Sequence, residues 1–267
     1  KDHYLAAMAG FEYYDAYNKG FSASGSGAAT DDFMDLSYTS TDKGKRSIDS
    51  WHSRQRIMSF FGRVNYDFQS KYLVSFVMRK DGYSKLVDDN RWRVFPGISA
   101  GWVFGKEEFM QKYSDVISFA KLRASYGLNG NVNKDWVGNY TVQGSYGSNK
   151  YNSNTGYLLG SIPNPYLMWE KSQTLEFGLD LSFLANRINT NFTYYNRNTE
   201  DKFASITLPS TSGISSITSN NGKLQNQGLE FELGFRIIDG KDWRWSVNAN
   251  GAYNINKVIE LPNNGLD

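Results

Sequence analysis

The 267-residue chain contains no cysteine, only two histidines and five prolines. Without cysteine there are no disulfides, thiolate metal sites or cysteine nucleophiles, and an oxidising compartment is compatible with their avoidance. His3 and His52 are too few for a histidine-built zinc site, and no His-Glu-x-x-His occurs. Long apolar runs are missing too. Tyr72 to Met78 is interrupted at Ser75, whereas a membrane helix needs roughly 20 consecutive apolar residues. Neither sign of charge dominates: 29 Lys and Arg stand against 27 Asp and Glu, and the net charge of +2 gives no reason to expect a nucleic-acid partner. Gly25 and Gly27 belong to no P-loop or dinucleotide fingerprint. The acidic pairs Asp31-Asp32, Asp88-Asp89 and Glu107-Glu108 fall in loops or at a helix start and read as solvated surface. Asp81, Asp88 and Asp89 are of the type that suits calcium, but no metal, cofactor or enzymatic activity is expected. The residues from Lys1 do not read as a signal peptide, which an exported protein would have lost, and they read as a strand already under way.

Aromatic residues are abundant at 16%, with 18 Tyr, 17 Phe and 7 Trp, while the hydrophobic fraction is only 40%. A membrane β-barrel has this composition because only alternate residues of each strand face lipid. The alternation is visible. Leu175, Phe177, Leu179, Leu181 and Phe183 interleave with Thr174, Glu176, Gly178, Asp180 and Ser182. Leu229, Phe231, Leu233, Phe235 and Ile237 alternate likewise with Glu230, Glu232, Gly234 and Arg236. A period of two is the strand signature. It predicts strands near 3–16, 57–68, 72–80, 91–104, 119–129, 169–183, 187–199, 224–238 and 243–256. Most reach the roughly 9–11 residues that a tilted membrane strand requires.

Long and short connections alternate. Long ones span 17–56, 81–90, 130–168 and 200–223; tight turns fall at 69–71, 184–186 and 239–242. Outer-membrane barrels place short turns in the periplasm and long loops outside. Strand ends beside the short turns carry Tyr66, Phe68, Tyr72, Trp102, Phe104, Phe119, Phe183, Trp243 and Trp245, as an interfacial aromatic girdle would. Pro96 inside a strand predicts a bulge or strand end. Residues 105–118 read as a short surface helix.

Several segments then fall in a familiar order. They are Ser59 to Tyr66, Lys71-Tyr72-Leu73, Arg79 to Ser84, Asn90-Arg91-Trp92, Phe95 to Trp102, Lys121 to Asn131, Trp169 to Gln173, Tyr194 to Thr199 and Asn226 to Glu230. Together they resemble the barrel of the SusC/RagA-like TonB-linked outer-membrane proteins of Bacteroidetes-type bacteria. The resemblance implies an antiparallel transmembrane β-barrel of about 22 strands with a plugged lumen, of which this chain holds about nine. It further implies a SusD-like surface lipoprotein as lid, TonB and its inner-membrane complex as the energy source, and an oligosaccharide or peptide as cargo. The plug, the TonB-box segment and the terminal strands have no counterpart here, and Leu261 to Asp267 reads as a loop.

Placing Arg or Lys against lipid at mid-bilayer costs about 2–4 kcal/mol, so one register must turn the charged strand residues inward. The expected lumen-lining set is Arg63, Arg79, Arg123, Glu176, Asp180, Glu230, Glu232 and Arg236, with Asn65, Asn191, Asn248 and Asn250. Hydration of the wall and contact with the plug explain most of them. The long loops carry Trp51, Trp136, Tyr146, Tyr151 and Tyr157, flat rings suited to stacking on cargo and equally suited to packing loops together. The rival readings are a passive outer-membrane porin, a soluble all-β carbohydrate-binding or adhesion module, and a barrel enzyme, which two histidines disfavour.

Overall fold

A computed structural model describes residues 2–32, 35–152 and 154–261, and of Asp88 and Tyr151 the backbone only. Its strands are β1 (His3–Gly25), β2 (Arg46–Phe68), β3 (Tyr72–Tyr83), β4 (Trp92–Trp102), β5 (Ile117–Asn131), β6 (Ser145–Tyr151), β7 (Asn154–Ser161), β8 (Glu170–Phe183), β9 (Ile188–Thr207), β10 (Ser216–Asp239) and β11 (Arg244–Glu260). Nine of them form one antiparallel sheet in the order β1-β2-β3-β4-β5-β8-β9-β10-β11, and β6 and β7 form a separate hairpin. All nine expected strands are present. Sequence neighbours pair throughout the large sheet, with β5 and β8 meeting across the β6–β7 insertion.

Each row across the sheet keeps to one face. Arg63 pairs with Val77, then Gly97, Gly127, Thr174, Arg197, Asn226 and Asn256. The adjacent row runs Val64, Phe76, Ile98, Tyr126, Leu175, Asn196, Gln227 and Ile255 on the opposite face. That face is apolar low on each strand, and none of the described residues covers it. Phe76, Ile98, Phe177, Phe192 and Leu229 are 45%, 53%, 48%, 46% and 58% exposed. A second sheet or helix layer, as in a soluble sandwich, would have buried them. On β2 the apolar positions run from Phe68 to Met58, roughly 33 Å along the strand and roughly 25 Å in height at the usual barrel tilt. No helix among the described residues is long and apolar enough to cross a membrane; the strands provide the crossing.

The structure corrects several sequence expectations. Half of residues 17–56 is not loop: β1 and β2 continue as a paired ribbon from Tyr17–Arg54 to Gly25–Arg46. Part of 200–223 is ribbon too, with Phe203 opposite Asn220 and Thr207 opposite Ser216. Long polar strands that leave the bilayer lose the apolar alternation by which they were recognised. The β6–β7 hairpin was hidden for the same reason. Residues 105–118 contain 3-10 turns at Phe104–Lys106 and Glu108–Tyr113 rather than an α-helix, and strand β4 stops at Trp102. Pro96 interrupts nothing on the β3 side, where it faces Met78, but it is the first position of β4 without a partner on β5. Phe119 pairs with Ser182 on the polar face and leaves the expected girdle. A single helical turn, Asp88–Arg91, lies between β3 and β4.

Candidate functional site

The register gathers every expected charged position on one face. Arg63, Arg79, Arg123, Glu176, Asp180, Glu230, Glu232 and Arg236 all belong to the polar rows, as do Asn65, Asn191, Asn248 and Asn250. Cavities form on this side. One of about 710 Å³ is lined by Arg123, Glu176, Arg197, Glu230 and Glu232 among others. Another of about 450 Å³ involves Arg63, Asn65, Lys121, Arg123 and Glu176.

Arg123, Arg79 and Arg63 are held by side chains on other strands, and Arg236 by one on its own strand. Arg123 donates to Asp180 at 3.2 Å, Asn191 at 3.0 Å and Thr193 at 2.7 Å. Its guanidinium lies over Gly178, where a side chain would collide with it. Arg79 donates to Glu12 at 2.7 Å, Asp81 at 2.7 Å and Ser59 at 2.8 Å, and sits 5.5 Å from the ring centre of Phe61. Asp81 is thus committed to an ion pair, and no group of three or more metal-ligating side chains occurs among the described residues. Arg63 donates to Asn65 and Ser75. Arg236 pairs with Asp239 at 3.1 Å. Charge-assisted bonds of this kind fix side chains that would otherwise sweep the surface.

The end of the sheet opposite the tight turns is closed by a small apolar core. Tyr83, Leu86, Phe95, Val137, Val142, Leu167, Trp169 and Phe203 are buried together. The Trp169 ring meets Phe95 and Tyr83 edge-on, and its Nε1 donates to the Arg91 carbonyl at 3.0 Å. Beside it Glu170, 3% exposed, accepts from the Phe203 N–H at 2.9 Å and Asn131 at 2.8 Å and faces Lys202 at 3.5 Å. The loop between β5 and β8 is thereby anchored to three strands. Burial holds the nearby Lys85 ammonium below its usual pKa.

The five aromatic candidates do not form one cluster. Trp136 borders a cavity of about 450 Å³ with Tyr140, Thr141, Ser145, Ser161 and Ser216. Tyr140 and the hydroxyl residues escaped the sequence reading because isolated serines and threonines carry no spacing signal. Tyr146 and Tyr157 stand on the same face of the β6–β7 hairpin and are each 76% exposed. Trp51 lies on β2 against Gly20, on the extended ribbon. The Tyr151 side chain lies outside the described residues.

At the tight-turn end, Glu107 ties the girdle together. It accepts from Tyr72 Oη at 2.7 Å, Trp102 Nε1 at 3.1 Å and Lys71 Nζ at 3.2 Å. The Tyr72 hydroxyl above all, then Trp102 and Lys71, hold its carboxyl below the ordinary glutamate pKa.

Comparison with known proteins agrees with this geometry. Residues 2–266 match the family model described as TonB dependent receptor-like, beta-barrel. The TonB-dependent receptor P3 of Formosa agariphila is 34% identical over 97% of this chain and 26% of its own length. The TonB-dependent receptor SusC of Bacteroides thetaiotaomicron is 35% identical over 81% of this chain and 22% of its own length. A solved structure of the RagAB peptide transporter superposes with a TM-score of 0.86 at 30% identity, covering 98% of this chain and 29% of that one. The chain thus spans about a quarter of the length of the relatives it matches. With its uncovered apolar band, its single polar face and a family match along almost its whole length, the chain belongs to the outer-membrane β-barrels of the TonB-dependent receptors.

Proposed function

We propose that this chain forms part of the wall of an energised nutrient importer, with the polar face lining the lumen. The observation that carries the reading is the sorting of charge. Arg63, Arg79, Arg123, Glu176, Asp180, Glu230, Glu232 and Arg236 share one face through a continuous register, while the other face carries an exposed apolar band. Only a wall with lipid on one side and an enclosed polar space on the other satisfies both faces at once.

In this reading a SusD-like lipoprotein covers the long-loop end, and TonB acts on a plug contributed by another part of the protein. The cargo is an oligosaccharide or a peptide. Trp51, Trp136, Tyr146, Tyr151 and Tyr157 are its candidate contacts at the outer end, with Trp136 best placed because it borders a cavity rich in hydroxyls. The fixed arginine network lets plug and cargo move past a wall that does not rearrange.

Uptake by cells carrying the full-length protein tests this, using labelled neutral oligosaccharides and labelled oligopeptides as two separate probes. Import of one class that stops when TonB is deleted is the expected result. Diffusion of both classes without TonB would make the protein a passive porin and overturn the proposal.

A further inference from the structure

The apolar outer face does not end in the same way around the sheet. Above the band on β8, β9 and β10, the outward positions are mainly amides: Gln173, Asn196, Gln225 and Gln227. On β1 to β3 cations stand there, interspersed with Tyr17, Phe21, His52 and Ile48. Register places Lys19, Arg46, Arg54, Arg56 and Lys80 on that face, and among the described residues of β1–β4 Asp15 is the sole outward acid.

Asp15 organises rather than neutralises the group. It accepts from Arg54 Nε at 2.9 Å and Nη2 at 2.5 Å, and from Arg56 Nε at 3.2 Å. One carboxylate between two guanidiniums leaves a net positive charge and two planar forks fixed in place. Both arginine side chains stay about half exposed, at 52% and 46%. Below them the Lys80 ammonium lies 5.5 Å from the Trp92 ring centre. The position is decisive. Arg56 follows Met58, where the continuous apolar run on the outward face of β2 ends, by one step on the same face, at the end of the sheet away from the tight Gln69–Lys71 turn.

We infer that Lys19, Arg54, Arg56 and Lys80 form a docking site for a phosphate-bearing lipid headgroup of the outer leaflet. The chemistry is that of bidentate arginine recognition of phosphate. The patch is continuous with the lipid-facing band, so its occupant is the headgroup whose chains cover Met58, Phe60 and Phe76. Clustered cations at a membrane surface attract anionic lipid at about 1 kcal/mol each. Replacing two of them therefore predicts binding about 30-fold weaker.

The test uses the purified full-length protein in uncharged detergent, with native mass spectrometry counting bound lipid. The probes are diphosphorylated lipid A, its fully dephosphorylated form, and inorganic phosphate. The expected result is retention of the diphosphorylated lipid, at least 30-fold weaker binding of the dephosphorylated one, and a similar loss in R54Q/R56Q. R54K/R56K retains much of the binding, since charge persists without the fork. Heat-modifiable gel migration reports folding; if R54Q/R56Q fails to fold, K19Q/K80Q is read in the same way. Equal binding of the two lipids, or binding undiminished in the glutamine variants, overturns the inference. So does complete displacement by millimolar inorganic phosphate, which would make free phosphate the ligand. None of these outcomes depends on cargo uptake, so this inference and the import proposal fail separately.

Discussion

The ring of Phe95 occupies the space that a side chain at Gly130 would need. The two residues lie on β4 and β5 just beyond the point where those strands cease to pair, at Gly97 and Gly127. The strands splay there, and Phe95 enters the gap to meet Trp169 edge-on at 5.6 Å between ring centres. An absent side chain on one strand thus admits the ring that nucleates the loop core.

Gly130→Ala should therefore force the Phe95 ring out of place and destabilise the loop end by about 1–3 kcal/mol, the usual cost of overpacking. Limited proteolysis of the folded full-length protein should show faster cleavage between 132 and 168. Combining G130A with Phe95→Leu, which removes the obstructing ring, should recover part of the loss. A double variant no better than the sum of the two single ones would show that the contact is not the reason for the glycine.

The two faces predict opposite responses to the same substitution. Phe177→Arg puts a guanidinium on the apolar face and should cost about 2–4 kcal/mol of folding free energy in lipid vesicles. Asn250→Arg, on the polar face opposite Glu232, should change stability by less than about 0.5 kcal/mol, as a solvated substitution does. Equal costs at the two positions would contradict the assignment of lipid to one side only.

Acid should loosen the tight-turn end first. The folded pKa of Glu107 is depressed, with the Tyr72 hydroxyl as the leading cause, so its contribution is complete above the ordinary glutamate value near pH 4.3. It is lost as pH falls through the lower folded value. The wild type should lose thermal stability in that acid range, relative to neutral pH, by more than Glu107→Gln does, because the amide has no proton to gain. Parallel pH profiles for the two proteins would remove Glu107 as the cause.

Much of this was written in the local pattern. The alternation from Thr174 to Phe183 and from Leu229 to Ile237 placed strands and faces together, since in a strand side-chain direction follows from parity alone. Arg63, Arg123 and Glu230 could be assigned to one face before any coordinates, because the penalty for facing lipid admits one register. The ordered segments around Phe95 to Trp102 and Lys121 to Asn131 carried the family.

What the chain alone determined is which residues face hydrocarbon and which face the polar side, because that choice repeats every second residue and needs no distant partner. The tertiary structure decided the rest. The ribbon from Tyr17 to Gly25, the Phe95–Gly130 wedge, the Glu107 clamp and the cationic patch around Asp15 each join residues far apart in sequence. Beyond the bilayer no solvent contrast enforces alternation, so only the pairing of remote strands fixes which side chains meet.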